Sequence, residues 1–180
     1  FVIIDNNLNK KFQYDKVKLV PFGEFLPFHT NLEKIGLKKI TEGFGSFSKG
    51  SMKNTFTYGN LEIIPLICYE VIFPELIQKV NSKNTLLINI SEDAWFGDSI
   101  GPHQHFSKSI FRAVENDSFV LRSANKGISA IVNNKGQIIK SLKNNETGNI
   151  EYRLPILEKK GRNKNDLIFF VLLFTYCFIF

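Results

Sequence analysis

Apolar positions fall along the chain in short runs separated by turn residues. Residues 1–4, Phe-Val-Ile-Ile, form the first run, and Asp5-Asn6-Asn7 follows as a turn. Residues 11–14 read as the returning strand of a hairpin. Residues 63–67 are continuously apolar, and residues 85–90 repeat the pattern; by length and β-branching both are buried strands. Between them, Pro74 suits the first turn of a short helix predicted over residues 74–80. Gly101-Pro102 opens a longer helix, with Phe106, Ile110 and Val114 spaced four apart on one face. Further strands are predicted at residues 118–121, 128–132, 137–141 and 147–154. The middle two pair across Asn133-Asn134-Lys135-Gly136, and residues 122–127 read as a polar turn. Strands alternating with helices, then a hairpin, predict an α/β fold with a mixed sheet.

Two stretches depart from this rhythm. Residues 31–60 are polar and rich in glycine (Gly36, Gly43, Gly45, Gly50, Gly59), with Phe44, Phe47 and Phe56 among them, and predict a long loop or lid. Such aromatics either cover an apolar substrate or pack as local staples, and composition leaves both open. Residues 167–180 carry no charge and are almost wholly apolar. They are shorter than the roughly 20 residues a membrane-spanning helix needs. They follow the basic cluster Lys159, Lys160, Arg162 and Lys164, in a position that suits anionic lipid headgroups. The chain starts at Phe1 inside one apolar run and ends at Phe180 inside another. It therefore reads as part of a longer protein: a globular part over 1–157, a basic linker over 158–166 and the start of a transmembrane helix over 167–180.

Composition narrows the partners. Net charge is +6, but the lysines are scattered and do not gather with aromatics on one face, so nucleic acid is not an expected partner. The two cysteines, Cys68 and Cys177, lie one in the globular part and one in the terminal apolar run, which argues against a disulfide framework. His103 and His105 open the helix after Gly101. At that spacing they do not share a helix face, and hydrogen bonding near the preceding loop explains them better than metal binding.

Cys68 ends the apolar run at residues 63–67, just before Tyr69 and Glu70. One reading is a small buried hydrophobe. The other is a nucleophile at a strand-to-helix junction, where α/β folds place function. A nucleophilic thiol must ionise, and near neutral pH it needs a cation or a base beside it. Among the motif residues, Lys16 with Glu24 or Glu70 are the available partners. Pro21 and Gly23 break regular structure, so Glu24 sits on a loop. A surface lysine and a helix-capping glutamate remain the alternative for this pair.

Four segments then line up with one family: Tyr14-Asp15-Lys16-Val17-Lys18-Leu19-Val20-Pro21-Phe22-Gly23-Glu24; Ile67-Cys68-Tyr69-Glu70; Asn89-Ile90-Ser91-Glu92-Asp93-Ala94-Trp95-Phe96-Gly97 with Gly101-Pro102-His103-Gln104-His105; and Arg122-Ser123-Ala124-Asn125-Lys126-Gly127-Ile128. Together they resemble the bacterial apolipoprotein N-acyltransferases, in the family's order, over residues 1 to about 154. The resemblance implies a nitrilase-like α-β-β-α sandwich, incomplete in this chain and set among transmembrane helices. It implies a Glu–Lys–Cys triad in which Cys68 is the nucleophile and Lys16 the lysine; the base glutamate belongs to a motif upstream of Phe1. Glu24 and Glu70 match two further acidic positions, Tyr69 an aromatic beside the nucleophile, and Trp95 a loop aromatic at the site entrance. The implied reaction takes an acyl chain from a membrane phospholipid onto Cys68 as a thioester. It then passes the chain to the α-amine of the diacylglyceryl-cysteine of an apolipoprotein, with no metal or organic cofactor. The implied location is the bacterial inner membrane, with the catalytic domain facing the periplasm. A soluble nitrilase-superfamily amidase would share Lys16 and Cys68 but has no use for residues 167–180. An inactive membrane-anchored module would have no use for the intact Lys16, Glu24, Cys68 and Glu70.

Overall fold

A computed structural model describes residues 1–25, 47–51, 55–77, 84–143, 146–155 and 166–179. A two-stranded antiparallel ribbon comes first, β1 (Val2–Ile4) with β2 (Lys10–Gln13). A six-stranded sheet follows, in the order β3 (Phe56–Tyr58), β4 (Leu61–Ile67), β5 (Asn84–Glu92), β6 (Phe119–Asn125), β7 (Ser129–Val132) and β8 (Ile138–Leu142). β4, β5 and β6 run parallel and the remaining pairs are antiparallel, giving the expected mixed sheet.

Register sorts the apolar residues into two faces. Ile64, Leu87, Val120 and Val132 stand in one row. This row packs under Phe106 and Ala113 of helix α1 (Gly101–Glu115), which crosses from β5 to β6. The row on the other face contains Ile63, Leu86 and Phe119, backed by Ile150 and Leu154. Parallel strands covered on both faces have no solvent side, which is why β4 and β5 read as continuous apolar runs. Pro65 is buried within β4; β3 pairs with β4 at residues 61–63, and among the described residues no strand partner on that edge calls for the N–H that Pro65 lacks.

Several elements differ from the sequence reading. β5 continues to Glu92 and β6 to Asn125, so Arg122 lies inside the sheet and not in a turn. Residues 147–154 form no strand; their alternate apolar side chains Ile150 and Leu154 lie across the sheet's second face, and Tyr152 meets Phe119. Within residues 31–60, Phe56–Tyr58 is a strand in a hairpin that turns at Gly59, where φ is +57° and glycine is unstrained. The rest of that loop, including Phe44, lies largely outside the described residues. The predicted short helix is a 3₁₀ turn at Pro74–Leu76; residues 78–80 lie outside the description. On α1, Val114 is exposed and Ala113 takes its place in the core, because steps of four residues drift around a 3.6-residue helix.

Residues 166–179 form helix α2 (Asp166–Ile179). Its 14 residues rise about 21 Å, against about 30 Å of bilayer hydrocarbon. Among the described residues, no helix is long and apolar enough to cross a membrane. Phe170, Leu172, Phe174 and Tyr176 on α2 are exposed. The basic cluster at 159–164 lies outside the described residues.

Candidate active site

β4 delivers Cys68 to the C-terminal edge of the parallel strands, the edge where open α/β sheets place their ligands. Leu66 is fully buried and Cys68 half-buried, so the chain leaves the core within two residues. Cys68 begins a 3₁₀ turn, Cys68–Ile72, with φ at +54°, a left-handed conformation that costs a residue bearing a Cβ about 1–3 kcal/mol. Its Sγ lies 3.8 Å from the Glu92 carbonyl oxygen at the end of β5.

Glu70 sits in the same turn and has no solvent exposure. Its Oε1 accepts hydrogen bonds from Tyr14 Oη at 2.9 Å, Val17 N at 2.7 Å and Lys18 N at 3.0 Å. Its Oε2 accepts from Ile67 N at 2.8 Å. One buried carboxylate thus ties the segment around Lys16 to the backbone just before Cys68. Tyr14 is buried as well, and burial, then the Glu70 charge and hydrogen bond, push its phenol far above the usual tyrosine range.

Lys16 Nζ donates to Glu24 Oε1 at 2.7 Å, and both side chains are largely buried. Glu24 Oε2 accepts from Val20 N at 2.8 Å, so the Pro21-Phe22-Gly23-Glu24 loop folds back on its own start. Trp95, 47% exposed, reaches this loop: a Cβ on Gly23 would lie 3.5 Å from the Trp95 ring. Tyr69 is half-buried, edge-on to Phe73 at 5.7 Å and 6.3 Å from the His105 ring.

Below Cys68 lies a polar network that sequence reasoning did not assign to the site. The register row Leu66, Asn89, Arg122 and Ala130 sits one step beyond the apolar row beneath α1. Asn89 Nδ2 donates to the carbonyls of Leu66 at 2.9 Å and Cys68 at 3.3 Å. Arg122 donates from Nη1 to Asn89 Oδ1, from Nη2 to Asp93 Oδ2 at 2.6 Å and from Nε to Ile128 O at 3.2 Å. Asp93 Oδ1 bonds His105 Nδ1 at 2.9 Å and the Ser91 hydroxyl at 2.6 Å. Burial pushes the Asp93 carboxyl up, but the His105 hydrogen bond, the Arg122 charge and the Ser91 hydroxyl outweigh it and hold it below the usual carboxylate range. Gly127 closes the network, since a Cβ there would fall 2.3 Å from Asp93 Oδ2.

The sequence profile of the carbon-nitrogen hydrolase family matches residues 1–156. The chain belongs to the carbon-nitrogen hydrolase family. Among curated relatives, this carbon-nitrogen hydrolase chain is similar to the apolipoprotein N-acyltransferase of Allorhizobium ampelinum, 42% identical over 86% of the chain and 30% of that protein. It is 47% identical to that of Rhizobium leguminosarum bv. trifolii, over 76% of the chain and 26% of that protein. It is 44% identical to that of Rickettsia prowazekii, over 84% of the chain and 30% of that protein. The chain therefore spans less than a third of the length of these relatives. Among solved structures, the amidase from Nesterenkonia sp. superposes with a TM-score of 0.52 at 20% identity, over 78% of this chain and 49% of that one. A mutant of the Nesterenkonia sp. AN1 amidase, with acrylamide added at its active-site cysteine, superposes with a TM-score of 0.53 at 19% identity, over 93% and 61%. At that identity the likeness is one of fold.

The structure thus brings Lys16 and Glu24 into direct contact, ties both neighbouring segments through Glu70, and sets Trp95 on the Glu24 loop. Among the described residues, the hydrogen bond of Cys68 Sγ goes to Glu92 O and not to Lys16, Glu24 or Glu70. His105 is buried on Asp93 and His103 is exposed, which agrees with their reading as helix-start residues on different faces.

Proposed function

We propose that the chain carries the nucleophile of an apolipoprotein N-acyltransferase. The observation that supports this reading best is Cys68, held in a left-handed turn at a parallel strand end beside a carboxylate-tethered Lys16 segment, in a chain 42–47% identical to enzymes of that name.

The Cys68 thiolate attacks the ester carbonyl carbon of a membrane phospholipid. The carbonyl oxygen becomes an oxyanion, and the Lys16 ammonium, oriented by Glu24, neutralises it. The C–O bond of the ester breaks, the lysophospholipid leaves with a proton, and the acyl group remains on Sγ as a thioester. The free α-amine of a diacylglyceryl-cysteine then attacks that carbonyl. It loses a proton, the C–S bond breaks, and an amide forms as the thiolate returns. The base that moves these protons is the family's glutamate from the motif upstream of Lys16. Glu70 holds the Lys16 segment against the Cys68 turn, Tyr69 flanks the nucleophile and Trp95 borders the entrance. The steps balance without a metal or organic cofactor. The resemblance to the apolipoprotein N-acyltransferases, and not the basic linker 158–166, is what supports a location of the globular residues 1–157 at the periplasmic face of the bacterial inner membrane, with the apolar residues 167–180 leading into the bilayer. There the donor phospholipid and the apolipoprotein acceptor both lie.

The test is acyl trapping. Full-length protein is incubated with phospholipid labelled in its acyl chain, and hydroxylamine-sensitive label is mapped by peptide mass spectrometry. The label is expected on Cys68 and is expected to leave when diacylglyceryl peptide is added. A thioester that persists on another residue in Cys68→Ser would overturn the assignment.

A further inference from the structure

We propose that Asn89 and Arg122 are positioning residues for Cys68: the guanidinium fixes the Asn89 amide, and the amide holds the Cys68 backbone in its left-handed turn. The inference rests on the reading of Cys68 as the nucleophile.

Three observations carry it. First, Arg122 can only donate, so the Asn89 oxygen must face it and the Asn89 NH₂ must face the carbonyls of Leu66 and Cys68. The arginine therefore decides which way the amide points. Second, the two carbonyls bracket the point where β4 ends and φ turns positive at Cys68. Releasing them lets the cysteine relax to an ordinary backbone conformation and re-aims Sγ. Third, the position is an expensive one for polar groups. The adjoining row, Ile64, Leu87, Val120 and Val132, is wholly apolar, and a buried ion pair there is no more stabilising than a hydrocarbon of the same shape. The Arg122 fork reaches Asn89, Asp93 and the Ile128 carbonyl in three directions, which a lysine head group cannot do. Burial pulls the Arg122 guanidinium down, and Asp93, by its charge and its hydrogen bond, pushes it back up.

The experiment is alkylation of Cys68 by iodoacetamide in the full-length protein from pH 5 to pH 10, read on the Cys68 peptide by mass spectrometry. Asn89→Asp keeps the shape and the bond from Arg122, but removes the donors to both carbonyls and adds a negative charge below the thiol. The expected result is a loss of about tenfold in rate at pH 7 and a profile displaced to higher pH. Arg122→Lys is expected to fall in the same direction, and the exposed Asn149→Ala to leave the profile in place. Native profiles in folded Asn89→Asp and Arg122→Lys would overturn the proposal. Should Asn89→Asp not fold, the double variant with Cys68→Gly decides: glycine takes the left-handed turn freely, so recovery of folding supports the proposal and continued misfolding overturns it. Alkylation uses no acyl donor. A sensitive profile in a protein that transfers no acyl group would therefore overturn the proposed function alone.

Discussion

Replacing Glu70 by glutamine removes one charge and one acceptor from the hydrogen-bonded web beneath Cys68. The carboxylate receives four donors, three on Oε1 and one on Oε2. Glutamine offers a single oxygen. Its best orientation keeps that oxygen on Tyr14, Val17 and Lys18 and turns its NH₂ toward the Ile67 N–H. Two donors then face each other, and the unpaired Ile67 amide costs about 1–3 kcal/mol. The three retained bonds lose their charge assistance, about 1 kcal/mol each, since hydrogen bonds to an ion are roughly twice as strong as neutral ones. Relief of the buried charge returns part of this, leaving a net loss of about 2–4 kcal/mol. Tyr14→Phe removes one donor and leaves the carboxylate three, so about 1–2 kcal/mol is expected. The functional effect should be larger than stability alone implies. With the Val17 and Lys18 amides loosened, Lys16 drifts relative to the Cys68 turn, and a misplacement of about 1 Å costs on the order of 10² in rate. Denaturant titration of the full-length protein in detergent and the acyl-transfer rate of the folded fraction are the two measurements. A Glu70→Gln protein within about 0.5 kcal/mol of the native one, with native turnover, would refute the reasoning, because surface carboxylates are the ones that behave so.

Four further outcomes follow from the same geometry. Lys16→Ala should lose about 10² to 10³ in acyl transfer, the usual cost of one oxyanion donor, whereas Lys18→Ala, whose ammonium meets the exposed Glu75 at 3.0 Å and the Phe73 ring at 5.1 Å, should stay near native. Equal rates in the two variants would dissolve the distinction. Asp93→Asn leaves the buried Arg122 charge without its counter-ion and should cost about 3 kcal/mol or more at pH 7. Because the folded Asp93 carboxyl lies below its ordinary 3.8, this difference from native is full above that pH and shrinks as pH falls through the lower folded value, which acid denaturation of both proteins would check. Tyr14 has the opposite sign: its folded phenol stays protonated above the ordinary value of 10.0, so the advantage of the native protein over Tyr14→Phe should hold below about pH 10 and decline above it. A gap that widens in alkali would contradict the Tyr14–Glu70 contact. Gly127→Ala drives a methyl into Asp93 and should destabilise by about 3 kcal/mol or more, while Gly59→Ala meets open space and pays only for its positive φ, about 1 kcal/mol, as thermal melts of the two would show.

What the sequence made legible depended on whether a signal was local. The apolar run that stops at Cys68 marks a buried strand and its exit in one place, so the strand is legible directly, whereas that stretch leaves Cys68 open between a small buried hydrophobe and a nucleophile. Pro21 and Gly23 gave away the loop that carries Glu24. Glu70 was legible as an acid near the cysteine, but its four donors come partly from residues more than fifty positions away. Its role as a tether was therefore invisible. The strand reading at residues 147–154 failed because alternation records a surface with two sides and not a ladder: Ile150 and Leu154 cover a sheet face in the same period that a strand would show. Arg122 was read as turn because an arginine after an apolar segment ordinarily marks a chain reaching water. It stays inside because Asn89 and Asp93, about thirty residues earlier, meet it across a parallel register that no local pattern announces. The same cause explains why Asn89, Asp93, Arg122 and His105 escaped assignment even though all four lie within the motifs that carried the family resemblance. A motif shows that residues travel together along a chain. Only the register puts Leu66, Asn89 and Arg122 in one row and so gives an arginine on β6 a mechanical hold on a cysteine at the end of β4.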